Sequence, residues 1–472
     1  MNSPLHHLQP YPDYKDSGLQ WLGRVPGHWA VMPNRALFSE VKDREHPYEE
    51  MLSVTITRGI VKQRALLDGS SKKDSSNLDK SKYKLIQPGD IAYNKMRAWQ
   101  GALGASELSG IISPAYVVMR LRQKANLPRY YHHLYRTPQF AKEAERWSYG
   151  ITSDMWSLRP EHFKLIYTPE PPPDEQAAIV KFLDWANGRL ERAIRAKRKI
   201  IALLNEQKQA IIHRAVTRGL DPTVKLKPSG IPWLGDIPEH WALISLRMRY
   251  SVELGKMLDA SRYTGQHSMP YLRNRDVQWD RIEVDNLPVM DITEDEAPRY
   301  TVRKGDLLVC EGGQVGRCAF WNNQLPICGF QKALHRVRAI APKRDYPRFF
   351  FYQMQLAAGL GIFSADGNEN TFAHLTCEKL RRHRFAFPAF GEQKAIADML
   401  DADLQQFQIA IGNHDREISL LREYRTRLVA DVVTGKLDVR EAAKDLPDEA
   451  VEPEVVPDAE ELSESEPEEV EA

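Results

Sequence analysis

The chain has 472 residues, enough for two or three domains that each bury a core, and its 65 Lys and Arg nearly balance its 64 Asp and Glu. It contains neither an apolar run near the ~20 residues of a membrane helix nor a charged-then-apolar leader. We therefore expect a cytoplasmic protein with no membrane contact. Its four cysteines lack the spacing of metal ligands and are expected to be reduced thiols.

Charge is distributed unevenly along the chain. Residues 441–472 contain fourteen acidic residues and one Lys, a net charge of −13. Since the whole chain has a net charge of +1, residues 1–440 carry +14. The acidic segment has few bulky apolar residues, and we predict that it is a disordered tail. The basic remainder suits a polyanionic partner such as nucleic acid.

After an N-terminal arm (1–16), the chain follows one plan twice. The order and spacing of three paired segments are kept, with offsets between 212 and 217 residues, which indicates a duplicated unit with small loop insertions. The pairs are SGLQWLGRVPGHWA (17–30) with SGIPWLGDIPEHWA (229–242), PGDIAY (88–93) with KGDLLV (304–309), and PPPDEQ (171–176) with PAFGEQ (388–393).

Each copy is predicted to begin with a mixed α/β domain, at 17–174 in the first copy and at 229–391 in the second. Short β-type runs such as YVVMRL (116–121) alternate there with Gly, Pro and Asn turns. The paired tryptophans, among them Trp29 and Trp241, are expected to anchor the cores of these domains rather than to contact a ligand.

A proline-free stretch of about 40 residues follows each α/β domain and predicts a long helix, within the helical regions 175–228 and 392–440. Apolar residues step through both helices alternately by four and three positions, which is typical of a coiled-coil seam. We predict an antiparallel coiled coil with internal pseudo-twofold symmetry; amphipathic helices on separate cores are the alternative. The predicted seam residues are Leu183, Leu190, Ile194, Ile201, Leu204, Ile211, Leu400, Leu404, Phe407, Ile411, Ile418, Leu421 and Leu428.

The sequence contains no recognisable catalytic motif. The cluster Gly312–Gly316 lacks the Lys of a phosphate-binding loop and departs from G-x-G-x-x-G, so we interpret it as a hairpin turn. No group of His, Cys, Asp and Glu has metal-ligand spacing, and no Ser or Cys lies in a nucleophile elbow. We therefore expect no catalytic residue, no metal and no cofactor on this chain.

Clusters of Arg, Lys, Asn and Gln beside turns are candidates for nucleic-acid contact. Arg pairs with guanine and Asn or Gln with adenine, whereas Lys and Arg also bind phosphates. A solvent-exposed loop charge is the alternative for any single residue. The candidates are Arg58, Lys62, Gln63, Arg64, Lys95, Arg97 and Gln100 in the first domain and Arg273, Asn274, Arg275, Gln278, Asn368, Asn370 and Thr371 in the second.

These features together resemble the specificity subunits of type I restriction–modification systems. The residues that carry the resemblance are the two openings, PGDIAYNKMRAWQGALG (88–104), YLRNRDVQW (271–279), GDLLVCEGGQVGR (305–317) and the twin Glu-Gln helix starts. The resemblance covers residues 17–440, and the acidic tail is outside the common pattern.

The resemblance implies a prokaryotic host-defence protein without catalysis of its own. Its two target-recognition domains would each read one half of a split double-stranded DNA sequence. The helices would set the spacing and dock two methyltransferase (modification) subunits, which restriction (translocase) subunits join. S-adenosylmethionine, ATP and Mg²⁺ are then expected on those partners. A DNA-modifying or DNA-cleaving enzyme and a protein-only scaffold are the alternatives.

Overall fold

The computed structural model describes residues 8–67, 79–150, 156–259, 263–364 and 374–447. The chain divides into two compact units, each containing one α/β domain and parts of two long helices. The first unit combines residues 1–197 with 416–472, and the second unit contains residues 198–415.

The domain of the first unit is built from short elements joined by turns. Its strands are β1 (Tyr14–Asp16), β2 (Arg24–Pro26), β3 (Ala30–Pro33), β4 (Phe38–Val41), β5 (Leu52–Thr55), β6 (Gly59–Lys62), β7 (Lys84–Ile86), β8 (Ile91–Asn94), β9 (Leu103–Ala105), β10 (Gly110–Ile112), β11 (Tyr116–Leu121) and β12 (Tyr167–Glu170). Its helices are α1 (Asn34–Leu37), α2 (Arg64–Leu67), α3 (Pro128–Tyr135), α4 (Pro138–Arg146) and α5 (Pro160–Leu165).

A four-stranded antiparallel sheet, in the order β4-β11-β8-β9, lies at the centre of this domain. Strand β11 is the run predicted at 116–121. Because successive side chains of a strand point to opposite faces, Val117 and Met119 join the core cluster that contains Trp29, whereas Tyr116 and Val118 join a second cluster. The sheet is therefore covered on both faces.

The first long helix, α6 (Pro173–Arg218), begins two residues before the Glu-Gln pair. Pro173 suits a first helical turn because that turn leaves its N–H groups unpaired. Asp174 and Glu175 place negative charge at the same end, where the helix dipole favours it.

The domain of the second unit has a related layout. Its strands are β13 (Leu226–Pro228), β14 (Asp236–Pro238), β15 (Ala242–Ser245), β16 (Tyr250–Leu254), β17 (Ser268–Leu272), β18 (Val277–Gln278), β19 (Arg281–Ile282), β20 (Val289–Asp291), β21 (Leu307–Cys310), β22 (Cys318–Phe320), β23 (Gly329–Phe330), β24 (Leu334–Ala339) and β25 (Arg384–Phe387). Its helices are α7 (Ala297–Tyr300), α8 (Pro347–Gly359) and α9 (Cys377–Arg382).

The central sheet of this domain is again four-stranded and antiparallel, in the order β16-β24-β21-β22. A three-stranded sheet, β20-β17-β23, is added beside it and contains the parallel pair β17-β23. Trp241 is fully buried in the main core, as predicted for the paired tryptophans. The cysteines are free, and burial raises the pKa of the Cys310 and Cys328 thiols, so they stay protonated packing groups at neutral pH.

The second long helix, α10 (Phe390–Val433), is followed by the short α11 (Arg440–Lys444). The prediction that the disordered tail starts at residue 441 is wrong, because α11 includes residues 441–444. Ala443 and Leu446 are buried in the core cluster of the first unit, because apolar residues at helical spacing pack there despite the surrounding acidic residues. The predicted disorder of 448–472 concerns residues outside the described ranges.

Helices α6 and α10 pack together in each unit and run antiparallel. In the first unit, Lys197 Nζ lies 2.5 Å from Glu417 Oε2, and Arg425 Nη1 lies 3.1 Å from Glu191 Oε2. The predicted seam residues all occupy buried or half-buried positions. The coiled-coil geometry itself stays a prediction.

Candidate nucleic-acid interface

A buried carboxylate at the start of α6 holds the opening segment of the first domain. Glu175 accepts a hydrogen bond from Trp29 Nε1 at 2.9 Å and lies 2.7 Å from His28 Nε2. The Tyr11 hydroxyl donates to the same carboxylate. Because the Glu175 side chain is only 3% exposed, these protein partners replace the water that a carboxylate otherwise requires.

The second domain repeats this contact at the start of α10. Glu392 accepts a hydrogen bond from Trp241 Nε1 at 3.0 Å and lies 2.9 Å from His240 Nε2. Its side chain is 30% exposed, so it is less dependent on those partners than Glu175 is.

The glutamine of each Glu-Gln pair fixes the next contact. Gln176 accepts from the Leu127 N–H at 2.8 Å, immediately before α3. Gln393 accepts from the Tyr346 N–H at 2.8 Å, immediately before α8. Each α/β domain is therefore attached to a long helix by the same two side chains.

In each unit, the C-terminal end of a long helix lies against the tryptophan of the His-Trp pair, Trp29 in the first unit and Trp241 in the second. Gly435, after α10, has a φ of +78°, and a Cβ there would lie 3.0 Å from Trp29 Cη2. Gly219, after α6, has a φ of +73°, and a Cβ there would lie 3.3 Å from Trp241 Cζ2. Glycine fits both positions because it tolerates positive φ and a close approach.

The Gly-Asp turns also have matched roles in the two domains. Asp90 accepts from Arg120 Nε and Nη2 at 2.7 and 2.8 Å. Asp306 accepts from Arg338 Nε and Nη2, both at 2.6 Å. These bidentate pairs hold each turn against the central sheet.

The first group of predicted contact residues lies around the β5–β6 turn. Arg58 lies in the turn, and its N–H donates to Thr55 Oγ1 at 3.0 Å. Lys62 and Arg64 each lie 2.9 Å from a carboxylate oxygen of Glu50. Gln63, also predicted as a contact residue, is buried.

The second group lies on the turn after β8. Lys95 and Arg97 are half-buried, and Gln100 is exposed at the end of a 3₁₀ turn. The Lys95 carbonyl accepts from the Leu158 N–H at 2.9 Å. In the same region the rings of Trp99 and Trp156 meet edge to face, with centroids 5.5 Å apart.

Arg136, at the end of α3, donates hydrogen bonds to the Ile56 carbonyl in the β5–β6 turn and to the Leu103 carbonyl, which directly follows the turn after β8. The structure thus brings together the two groups of predicted contact residues in the first domain. Arg136 was not predicted as a site residue.

In the second domain, some predicted contact residues are used within the chain. Arg273 donates to both carboxylate oxygens of Asp276 at 2.8 Å. Asn274 Nδ2 donates to the Gly312 carbonyl at 3.1 Å, and its Oδ1 accepts from Arg317 at 3.0 Å. Asn274 therefore connects the turn before β18 with the turn between β21 and β22.

Arg275 is the most exposed of this group, with 74% of its side chain accessible. Gln278 Nε2 donates to the Arg275 carbonyl at 2.8 Å and so lies beside it. Asn368, Asn370 and Thr371 lie outside the described residues.

The contacts of Glu175, Glu392, Arg136 and Arg317 were not predicted from the sequence. The Glu-Gln and His-Trp pairs both recur in the two copies, and this joint recurrence is the signal that they contact each other. No comparable signal exists for Arg136, because its partners are backbone carbonyls.

Burial also perturbs the ionisation of one lysine in the first domain. Lys84 is 8% exposed and donates to the Pro114 carbonyl at 2.9 Å and to the Tyr116 carbonyl. Its burial lowers the pKa of the ammonium group to about 8.

Within the described ranges, no His, Cys, Asp and Glu side chains cluster in a way that could hold a metal ion. Over the same residues, no helix combines the length and apolar character needed to cross a membrane.

Comparison with known proteins shows what this chain is similar to. Residues 250–417 match the model of the type I restriction modification DNA specificity domain. Over 216 residues, 45% of this chain, the sequence is 25% identical to the type I restriction enzyme EcoBI specificity subunit of Escherichia coli. The matched segment covers 43% of that protein's length.

Among the solved structures that resemble the chain, the one with the higher TM-score indicates a similar fold. One, described as the structural basis of complex assembly and conformational transition of the type I R-M system, has a TM-score of 0.65 at 15% identity, over 87% of this chain and 98% of that chain. The HsdS subunit from Thermoanaerobacter tengcongensis has a TM-score of 0.46 at 15% identity, with the same coverage. The chain is thus similar to the type I restriction–modification specificity subunits, and its residues 250–417 match the DNA specificity domain of those systems.

Proposed function

We propose that the chain is the DNA sequence-specificity subunit of a type I restriction–modification complex. Each α/β domain reads one half of a bipartite double-stranded target. The antiparallel coiled coil of α6 and α10 sets the separation of the halves and docks two methyltransferase subunits.

The observation that carries this proposal is that, in each unit, the residues that attach the domain to the long helices differ from the residues exposed on the turns. The repeated residues, such as Glu175 and Glu392, attach a domain to the long helices. The residues that differ between copies, such as Arg58 and Arg275, lie on turns. Their N–H groups are donors for hydrogen bonds to phosphate oxygens and to acceptor atoms on base edges. A common frame with two different sets of turns suits a protein that reads two different half-sites.

Catalysis belongs to other subunits in this proposal. S-adenosylmethionine binds the methyltransferase subunits, and ATP with Mg²⁺ binds the restriction subunits. The purified chain alone is expected to transfer no methyl group from S-adenosylmethionine and to cut no DNA with ATP and Mg²⁺. Either activity would favour the enzyme alternative.

Selection from a library of randomised duplex DNA tests the recognition itself. The full chain, assembled with the methyltransferase subunits of its own source, is expected to enrich two short motifs at a fixed separation. Replacing residues 229–391 with the matching domain of a relative should change one motif only. A change in both motifs or in neither would contradict two independent readers, and no enrichment would favour a protein-only scaffold.

A further inference from the structure

The guanidinium of Arg136 lies between two turns of the first domain. Its Nη2 donates to the carbonyls of Ile56 and Thr57 at 2.8 and 2.5 Å, and its Nη1 donates to the Leu103 carbonyl at 2.9 Å. Longer contacts reach the carbonyls of Thr55 at 3.5 Å and Gly101 at 3.4 Å. One side chain therefore joins residues 55–57 to residues 101–103.

Both segments adjoin residues that we propose to contact DNA. Arg58 directly follows the carbonyls that Nη2 contacts, and Gln100 directly precedes Gly101. Lys95 and Arg97 belong to the same turn as Gln100. The relative placement of these side chains therefore depends on a backbone arrangement that Arg136 bridges.

The chemistry of this contact favours arginine. A guanidinium presents five N–H donors in a rigid fork, whereas an ammonium is a compact charge on a flexible stem. The hydrogen bonds of Arg136 to the described residues all go to carbonyls, and burial together with Arg425 lowers the pKa of the group. A cation held this way fixes backbone positions and does not neutralise a carboxylate.

A second side chain of α3, His132, also contacts the backbone near these turns. His132 precedes Arg136 by one helical turn, and its Nδ1 accepts from the Ala105 N–H at 3.2 Å. Burial lowers the pKa of His132, which favours the neutral ring that such an acceptor requires. The end of α3 therefore contacts the backbone of β9 as well as that of the β5–β6 turn.

We propose that Arg136 is a positioning residue for sequence readout by the first domain: it holds the turns that carry Arg58 and Gln100 in one fixed arrangement. The inference rests on the proposed function. Its effect is confined to one half-site, because the second domain joins its turns through Asn274 and Arg317 instead.

Replacing Arg136 by Met keeps much of the side-chain volume and removes every donor. In the randomised-duplex selection, Arg136→Met is expected to lose base preference in the half-site read by the first domain and to keep the other half-site. Binding to the wild-type consensus should weaken at least about tenfold, as for a lost base contact. Arg136→Lys should restore part of the preference because it keeps the charge and up to three donors.

Arg122→Met is the matched control. Arg122 Nε also donates to two backbone carbonyls, those of Arg35 and Phe38, at 3.2 and 3.1 Å, but away from both turns. This variant should keep both half-sites. Retention of both half-sites by Arg136→Met, or the loss of both together, would overturn the positioning role.

Amide hydrogen exchange of the full chain separates this inference from the proposed function. Arg136→Met is expected to speed exchange at residues 55–59 and 101–103 at least about tenfold, while Arg122→Met leaves it unchanged. If the wild-type chain enriches no motif but these amides respond, the proposed function fails and the contact between the turns stands. Unchanged exchange at these amides overturns the inference.

Discussion

The two units share the way in which an α/β domain meets the long helices and differ in the way in which the turns are held. Glu175 with Trp29 and Glu392 with Trp241 have N–H to carboxylate distances of 2.9 and 3.0 Å. In the first unit, the Arg136 guanidinium joins the turns by donating hydrogen bonds to backbone carbonyls. In the second unit, the side-chain amide of Asn274 joins them.

This difference indicates which contacts can vary between the two domains. A contact between two side chains that recur together resists change, since replacing either one leaves a polar group without its partner. Turns on the surface tolerate new lengths and new residues. The attachment therefore uses the same residue types in the two units, whereas each set of turns has its own internal contacts.

Removing the carboxylate that accepts from the tryptophan should give the largest difference in the free energy of unfolding between the two units. Glu175→Ala leaves the Trp29 N–H and the Tyr11 hydroxyl without their acceptor, and we expect the free energy of unfolding to fall by about 2–6 kcal/mol, the cost of two unsatisfied buried donors. Glu392→Ala should cost about 1–3 kcal/mol, because that side chain is partly solvated. Urea denaturation followed by tryptophan fluorescence measures both.

The exposed Glu206 on α6 supplies the control for this pair, and Glu206→Ala should change the free energy of unfolding by less than about 0.5 kcal/mol. Equal losses for Glu175→Ala and Glu392→Ala would show that the extra burial in the first unit has no energetic consequence.

Replacing matching seam leucines by Ala should lower the free energy of unfolding by similar amounts in the two units. Leu183 and Leu400 occupy matching positions and are both fully buried. Their replacement by Ala should each lower the free energy of unfolding by about 2–5 kcal/mol, measured by urea denaturation. The half-buried Leu204 and Leu421 should cost less.

Leu203, which is 50% exposed on the same helix, tests whether burial sets these values. Leu203→Ala should change the free energy of unfolding by less than about 0.5 kcal/mol. A loss for Leu203→Ala as large as that for Leu183→Ala would place the helix contact on the wrong face.

Lys84 should give the first unit a pH dependence of its own. Burial lowers its pKa to about 8 from roughly 10.4 in an unfolded chain. Between these values the unfolded state binds more protons, so stability due to this group rises as pH increases from about 8 to 10.5. The free energy of unfolding of the wild type should gain up to about 3 kcal/mol over Lys84→Met in that window.

Urea denaturation across this pH range measures the difference between wild type and Lys84→Met, and the exposed Lys82→Met is its control. A difference that stays constant with pH would mean that Lys84 keeps its ordinary pKa in the folded protein.

The smallest effect is expected for an ion pair between the helices of the first unit. The Lys197 and Glu417 side chains are 26% and 50% exposed. Lys197→Gln should therefore lower the free energy of unfolding by less than about 1 kcal/mol, and added salt should diminish the difference. Urea denaturation at low and high salt checks this, and a salt-independent loss would contradict the assignment.

Much of the fold was predictable because it depends on local pattern. The run at 116–121 forms β11 as expected, and the proline-free stretches form α6 and α10. The start of the acidic tail was not predictable from composition, because Leu446 packs against residues that are distant in sequence.

The candidate interface was predictable only in part. Arg58 and Arg275 lie on turns as expected, and their contact with DNA stays a prediction. The intrachain contacts of Arg273 and Asn274 were not foreseen, since residue type shows what a side chain can bind and not which partner is near. The contact between Arg136 and the turns leaves no pattern in the sequence at all.

By itself the sequence determined the repeated frame: the paired openings, the Gly-Asp turns and the long helices follow from spacing and periodicity, which are properties of neighbouring residues. Tertiary structure alone decided which groups meet. Glu175 lies beside Trp29, and Arg136 lies between two turns, because the chain folds distant segments together and a buried polar group must then find its partner among them.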